Sequence, residues 1–169
     1  SILNCSHLIL PGVGSFSSSM KKIENTIPLD CMEEQVLKNG KPFLGICVGM
    51  QVLGNVGFEF EEYKGLGWIP GVVEKLDVSQ STLPHIGWND IILKKESSIF
   101  TNLKEIRDFY YVHSYHLKVK NQENVLAITD YEESFNAIVS RDNIYGFQFH
   151  PEKSQKAGQL LINNFLQLV

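Results

Sequence analysis

No stretch of this sequence stays apolar for the roughly 20 residues that a membrane-spanning helix needs. Its first residues, SILNCSHLIL, lack the basic start and small-residue cleavage site of a secretory leader. A cytoplasmic protein without membrane contact is therefore expected. Positive charge is no better represented. The 15 lysines and arginines stand against 19 aspartates and glutamates, for a net charge of −4, and the basic residues are scattered rather than striped. Nucleic acid is not an expected partner. Cysteine is scarce: Cys5, Cys31 and Cys47 form no CxxC pair and leave an odd count, which argues against a disulfide scaffold and fits a reducing compartment. No Cys or His pair has zinc-ligand spacing on a turn or helix, and His113 and His116, three apart in a strand-like run, would point to opposite faces. Neither a metal site nor a cofactor is expected. Internal repeats and low-complexity tracts are missing as well.

What is present suits one globular domain over residues 1–169, with 43% hydrophobic and 20% charged residues. The apolar HLIL (7–10) closed by PGVG (11–14) reads as a strand running into a loop. A helical stretch follows in two pieces around Pro28. The second, LDCMEEQVLKNG, is expected to be capped near Asp30, to stop at Gly40 and to present Met32, Val36 and Leu37 as its apolar face. KPFLGIC (41–47) reads as a buried strand, with VGMQVLGN as a helix directly behind it. This alternation predicts an α/β fold, an open, twisted, mostly parallel sheet flanked by helices. Beyond residue 57 the chain is strand-rich: GLGWIPGVVEKLD, LPHIGWNDIILK, DFYYVHSYHLKV, NVLAITDY and FNAIVSRDNIYGFQFH all read as strands feeding back onto the same sheet. Ala157, Leu160, Leu161, Phe165 and Leu166 recur at helical spacing, so a helix is expected to close the chain.

The chemistry concentrates at GICVGMQ (45–51). Gly45-x-Cys47-x-Gly49 has the spacing of a nucleophile elbow, a strained strand-to-helix turn on which side chains two residues to either side would collide. A helix starting at Val48 would aim its free N–H groups at the sulfur, lower the thiol pKa, and offer the Val48 N–H to an oxyanion. The same pattern also fits a buried structural cysteine beside packing glycines. A second stretch, GFQFHPEKS (146–154), supplies what a nucleophile needs. His150 follows Phe147 and Phe149 at a strand's carboxyl end, Pro151 stops the strand, and Glu152 stands two residues on. Catalytic groups of open α/β sheets gather at that end. Cys47, His150 and Glu152 thus fill the roles of nucleophile, base and orienting carboxylate.

With PGVGSF (11–16), PHIGWN (84–89) and YVHSY (111–115) added, the chain resembles the triad-type (class I) glutamine amidotransferases. Within them it is most similar to the glutaminase subunit of imidazole glycerol phosphate synthase. The resemblance runs from residue 7 to the C-terminal helix. Met50 stands before Gln51 where many relatives have histidine. The resemblance implies that Cys47 attacks the side-chain amide of glutamine, with His150 as acid and base and Glu152 fixing the imidazole. It places the oxyanion hole at Val48, Val13 and Gly14, and the substrate's α-amino and α-carboxylate ends on Gln51, Ser114 and Tyr115. It implies that ammonia passes to a separate (β/α)8-barrel cyclase, with Trp88 and Asn89 at the interface and Trp88 as anchor and gate. The glycines of PGVG would permit a peptide flip that completes the oxyanion hole when the partner is occupied.

Trp88 reads equally as a core tryptophan, His85 as structural, and Phe109, Tyr110 and Tyr111 as core packing. Members of the family open with a further strand, loop and helix of roughly 30 residues before the PGVG strand, so a longer natural chain is expected. Three other readings stand beside the first: a paralogue supplying ammonia for amidine groups on bacterial surface sugars, a non-catalytic regulatory relative, and a stand-alone cysteine hydrolase.

Overall fold

The uninterrupted apolar run FLGIC is the central strand of the main sheet, buried along its whole length, in a computed structural model that describes residues 1–105 and 107–169. A strand covered on both faces needs no polar alternation, and this one has none. It is β2 (Phe43–Cys47), and β1 (Leu8–Gly12) runs parallel to it in the register Leu8↔Phe43 to Gly12↔Cys47. β1 continues through Pro11 and Gly12, two residues past the expected end. It lies at the sheet's edge, where a proline can be accommodated.

Helix α1 (Phe16–Thr26) joins these strands. The Ser15 side chain caps it by accepting the Ser18 N–H at 3.3 Å, and it buries Phe16, Met20 and Ile23 one turn apart. Helix α2 (Leu29–Glu33) starts directly behind Pro28, so Asp30 lies within its first turn rather than capping it. It passes into a π-helical turn over Glu34–Lys38 and ends before Gly40, whose φ of +70° suits a helix stop. Met32 and Val36 are buried, but Leu37 is half exposed. Neighbouring residues point about 100° apart on a helix, and the narrow buried stripe has room for only one of this pair.

The chain continues through α3 (Val48–Gln51), β3 (Val56–Gly57), β4 (Tyr63–Lys64), β5 (Gly71–Lys75), β6 (His85–Asn89) and β7 (Ile92–Leu93). Then come β8 (Phe109–His113), β9 (Tyr115–Val119), β10 (Val125–Thr129), β11 (Phe135–Arg141), β12 (Ile144–Phe147) and α4 (Gln155–Leu166). The main sheet has the order β1-β2-β12-β11-β10-β7. Its β1, β2 and β12 are parallel, and the remaining pairings are antiparallel. A helical connection joins the parallel pair β1 and β2, and short turns join the antiparallel neighbours β10, β11 and β12. The strand-rich second half therefore does return to the first half's sheet, which is mixed. It also builds a separate four-stranded sheet, β4-β3-β5-β9, and a ribbon, β6-β8.

Two sequence expectations are corrected here. Helix α3 is one turn long, because the carbonyls of Val52, Leu53, Gly54 and Asn55 accept the N–H groups of Leu66, Ile69, Gly67 and Gly65. The GLGWI segment, expected as strand, is the strap that ends this helix. DFYYVHSYHLKV, expected as one strand, breaks at Ser114 into β8, which pairs with β6, and β9, which pairs with β5. Strand alternation in β8 buries Phe109 and Tyr111 but turns Tyr110 outward from the core cluster. In α4, Leu161 and Phe165 enter the core while Leu166 is exposed. No helix among the described residues is long and apolar enough to cross a membrane.

Candidate active site

Three parallel strands deliver their carboxyl ends to one place. β1 ends at Gly12 ahead of Val13 and Gly14, β2 ends at Cys47, and the chain after β12 reaches His150. The corner between β8 and β9 brings Val112, His113, Ser114 and Tyr115 against them. Together with Val48, Gln51, Glu59 and Lys153 these residues line a cavity of 200 Å³. Eight of the expected site residues meet here, namely Cys47, His150, Val48, Val13, Gly14, Gln51, Ser114 and Tyr115.

The elbow has the steric form that its glycines imply. Cys47 sits at φ 56°, ψ −113°, a conformation that side chains rarely adopt and that costs on the order of 1–3 kcal/mol. A Cβ on Gly45 would lie 2.2 Å from the Gly49 carbonyl oxygen, and one on Gly49 would lie 1.9 Å from that of Leu10. Met50 is fully buried, and a Cβ on Gly146 would meet its Cγ at 2.7 Å, so this position is filled by packing against β12.

The Cys47 thiol departs from expectation. Burial pushes its pKa up to about 11, and the Val48 N–H, which pulls the other way, does not offset this. A one-turn helix supplies only part of a macrodipole, whereas the sulfur is almost fully enclosed. Cys47 therefore rests as a thiol, and any reaction at its sulfur needs a base to take the proton. The thiol faces the Val112 carbonyl oxygen at 3.9 Å.

His150 is buried, and its Nδ1 lies 2.9 Å from Glu152 Oε1. A carboxylate only accepts, so Nδ1 carries the proton and Nε2 keeps the basic lone pair. The His150 backbone N–H donates to the Tyr110 carbonyl at 2.9 Å, and its own carbonyl accepts the Ser154 hydroxyl at 2.6 Å, which fixes the ring's anchor. Glu152 stands outside the cavity wall, with 55% of its side chain exposed.

Gln51 is buried and donates from Nε2 to the Tyr115 carbonyl at 3.0 Å and to Gln148 Oε1 at 3.2 Å. Gln148 and Glu59 were missed in the sequence. Gln148 hides in the run GFQFHPE, where alternation places it opposite the phenylalanines, yet it is as buried as they are. Glu59 lies between Phe58 and Phe60. Its carboxylate accepts the Phe16 N–H at 3.1 Å, and burial raises its pKa. An acidic residue between two aromatics was the available signal.

The remaining pair lies apart from the cavity. Trp88 on β6 is 49% exposed, not core, and meets Tyr110 edge-on at 5.8 Å. Asn89 points inward, donating to the Asp130 carbonyl at 2.9 Å. His85 is buried, stacked on Tyr111, and its Nδ1 is 3.0 Å from His113 Nε2.

The model of the family described as "Glutamine amidotransferase class-I" matches residues 3–168. An imidazole glycerol phosphate synthase subunit HisH 2 from Vibrio vulnificus is 47% identical over 163 residues, covering 96% of this chain and 76% of that protein. The HisH subunit from Aquifex aeolicus is 46% identical over 158 residues, covering 94% and 75%. Among solved structures, PurLQS from Thermotoga maritima superposes with a TM-score of 0.64 at 19% identity, covering 94% of this chain and 78% of that one, a likeness of fold. With a family model matching nearly its whole length and relatives 46% and 47% identical to it, the chain belongs to the class-I glutamine amidotransferases, alongside the HisH subunits of imidazole glycerol phosphate synthase.

Proposed function

We propose that this protein hydrolyses glutamine with Cys47, His150 and Glu152 and delivers the ammonia to a (β/α)8-barrel cyclase that makes imidazole glycerol phosphate in histidine biosynthesis, in the cytoplasm. The observation that carries this reading is the shared cavity of Cys47 and His150, with Glu152 holding the far ring nitrogen of the histidine. His150 Nε2 takes the thiol proton as Cys47 Sγ attacks the substrate's amide carbon. The oxyanion forms beside the Val48 N–H and the Val13–Gly14 loop. His150 then returns the proton to the departing nitrogen, releasing ammonia and leaving a glutamyl thioester. Water, deprotonated by His150, attacks the thioester, and glutamate leaves with the thiol restored.

Glu59 suits the substrate's ammonium, while Gln51, Ser114 and Tyr115 bracket its α-carboxylate end. Trp88, exposed on β6, is the anchor for the cyclase, whereas Asn89 serves to hold the strand from within. Glu152→Gln should lower kcat by about 10²-fold with little change in KM. Its exposure lets water replace part of its field, so a larger loss is not expected. Steady-state glutamate release from glutamine measures both constants. Adding the cyclase and its ribonucleotide ligand should raise kcat/KM of the wild type by about 10- to 100-fold. A folded protein that releases glutamate without any stimulation would overturn the histidine-pathway assignment and favour the surface-sugar paralogue or a stand-alone hydrolase.

A further inference from the structure

We propose that Gln148 is a catalytic residue of this site, its side-chain N–H donating to the Cys47 sulfur and stabilising the thiolate as it forms. This rests on the reading of Cys47 as the nucleophile. Gln148 is completely buried between Phe147 and Phe149, at the end of β12 and two residues before His150. An amide in such surroundings is costly unless both its ends are paired. Its backbone N–H donates to the Ala137 carbonyl at 2.9 Å, which pins the residue to β11. The side chain then spans two site residues. Oε1 accepts from Gln51 Nε2 at 3.2 Å, and Nε2 lies 3.8 Å from Cys47 Sγ.

The direction of this amide is fixed by its neighbours. Gln51 Nε2 also donates to the Tyr115 carbonyl, an acceptor only, so Gln51 must present its NH2 group to Gln148. Gln148 answers with its oxygen, which turns its own NH2 group to the sulfur. The Tyr115 carbonyl is held in turn by His113 Nδ1 at 2.9 Å, and His113 Nε2 faces His85 Nδ1 at 3.0 Å. Burial lowers the pKa of His113 to about 3, so it is neutral at physiological pH, donating from Nδ1 and accepting at Nε2. Every donor between His85 and the sulfur therefore meets an acceptor, and no amide in the chain is free to turn over. When the thiol gives up its proton, the Gln148 N–H remains on the sulfur as charge develops. Bonds to a charged acceptor are roughly twice as strong as neutral ones, so the Gln148 contact gains strength at the moment of attack.

The test is the pH dependence of Cys47 alkylation by iodoacetamide, read on the Cys47 peptide by mass spectrometry because Cys5 and Cys31 are partly exposed. Gln148→Met keeps the length and removes the donor. Gln148→Glu keeps the acceptor for Gln51 but sets a carboxyl group beside the sulfur, so it is read in glutamine hydrolysis and not by alkylation. The variants are checked for folding by thermal unfolding, and Gln148→Leu, which is also neutral and lacks the donor, carries the alkylation test if the methionine variant does not fold. The expected result is an alkylation rate at neutral pH about tenfold lower in the methionine variant, the thiolate being rarer there. In glutamine hydrolysis kcat of the glutamate variant, which keeps the acceptor for Gln51, should fall with KM little changed, since a residue that merely propped up Gln51 would move KM. A folded variant with the wild-type alkylation profile, or one in which only KM moves, overturns the proposal. Alkylation also separates it from the parent reading: a wild type that releases no glutamate, with variants that still alkylate more slowly than it does, would sink the glutaminase assignment and leave the Gln148–Cys47 contact standing.

Discussion

Cys47→Ala is expected to release glutamate from glutamine at a rate lower by on the order of 10⁴-fold or more, while remaining folded. The covalent route disappears with the sulfur, since no other side chain in the 200 Å³ cavity is a thiol. His150 and the oxyanion donors survive, but they can only assist direct attack by water, which lacks the pre-positioned nucleophile. The stability change should be small and informative. Removing a buried thiol costs about 1 kcal/mol, or roughly 2–4 °C in melting temperature for a chain of this size. Alanine keeps a Cβ at φ 56° and so keeps the backbone strain. Cys47→Gly, equally inactive, should unfold at a higher temperature than Cys47→Ala, because glycine takes that φ without steric cost. An alanine variant that retains more than a trace of glutaminase activity would show that the elbow cysteine is structural and that another group attacks.

That strain also explains what was legible in the sequence and what was not. Positions where one residue type alone fits announced themselves. Gly45 and Gly49 bracket Cys47 because a Cβ at either would strike backbone, and the pattern survives in plain text. His150 could be placed because it sits between the strand and the Pro151 turn, although the strand itself ends at Phe147 and not, as expected, at the proline. Boundaries set by distant partners could not be read. Nothing local in VGMQVLGN says that N–H groups of residues 65–69 will take its last carbonyls and end the helix after one turn. Nor does DFYYVHSYHLKV reveal that its halves pair with strands of different sheets, although that corner is what brings Ser114 and Tyr115 into the cavity of Cys47. Gln148 escaped because period-2 alternation assumes one wet face, and here both faces are dry. The thiol pKa was mistaken for a related reason. The helix terminus is local and visible, whereas enclosure by β8, β9 and the HPE turn is not.

The largest expected effect on stability belongs to Gly49→Ala. The added methyl would sit 1.9 Å from the Leu10 carbonyl oxygen and 3.0 Å from its carbon, inside any permitted contact. Both colliding groups are backbone, so no rotamer change relieves the overlap. Either α3 lifts off the sheet or β1 slides away from β2, and each movement has a consequence. Lifting α3 unseats Met50, Val52 and Leu53, all fully buried. Sliding β1 breaks the parallel ladder from Leu8↔Phe43 to Gly12↔Cys47 and displaces the Val13–Gly14 loop from the cavity. A clash of this kind should cost about 4 kcal/mol or more, a large part of the 5–15 kcal/mol that holds a typical domain together. Thermal unfolding should show a midpoint roughly 8–16 °C lower. Gly40→Ala serves as the comparison. Unlike Gly49, it sits at positive φ, +70°, and it has nothing within 4 Å of its would-be Cβ, so only the local backbone cost of about 1–2 kcal/mol applies. If the two alanine variants melt together, the close packing of α3 on β1 is not what the Gly49 position requires. If Gly49→Ala alone collapses, the elbow glycine is there to let the helix behind the nucleophile lie directly on the neighbouring strand.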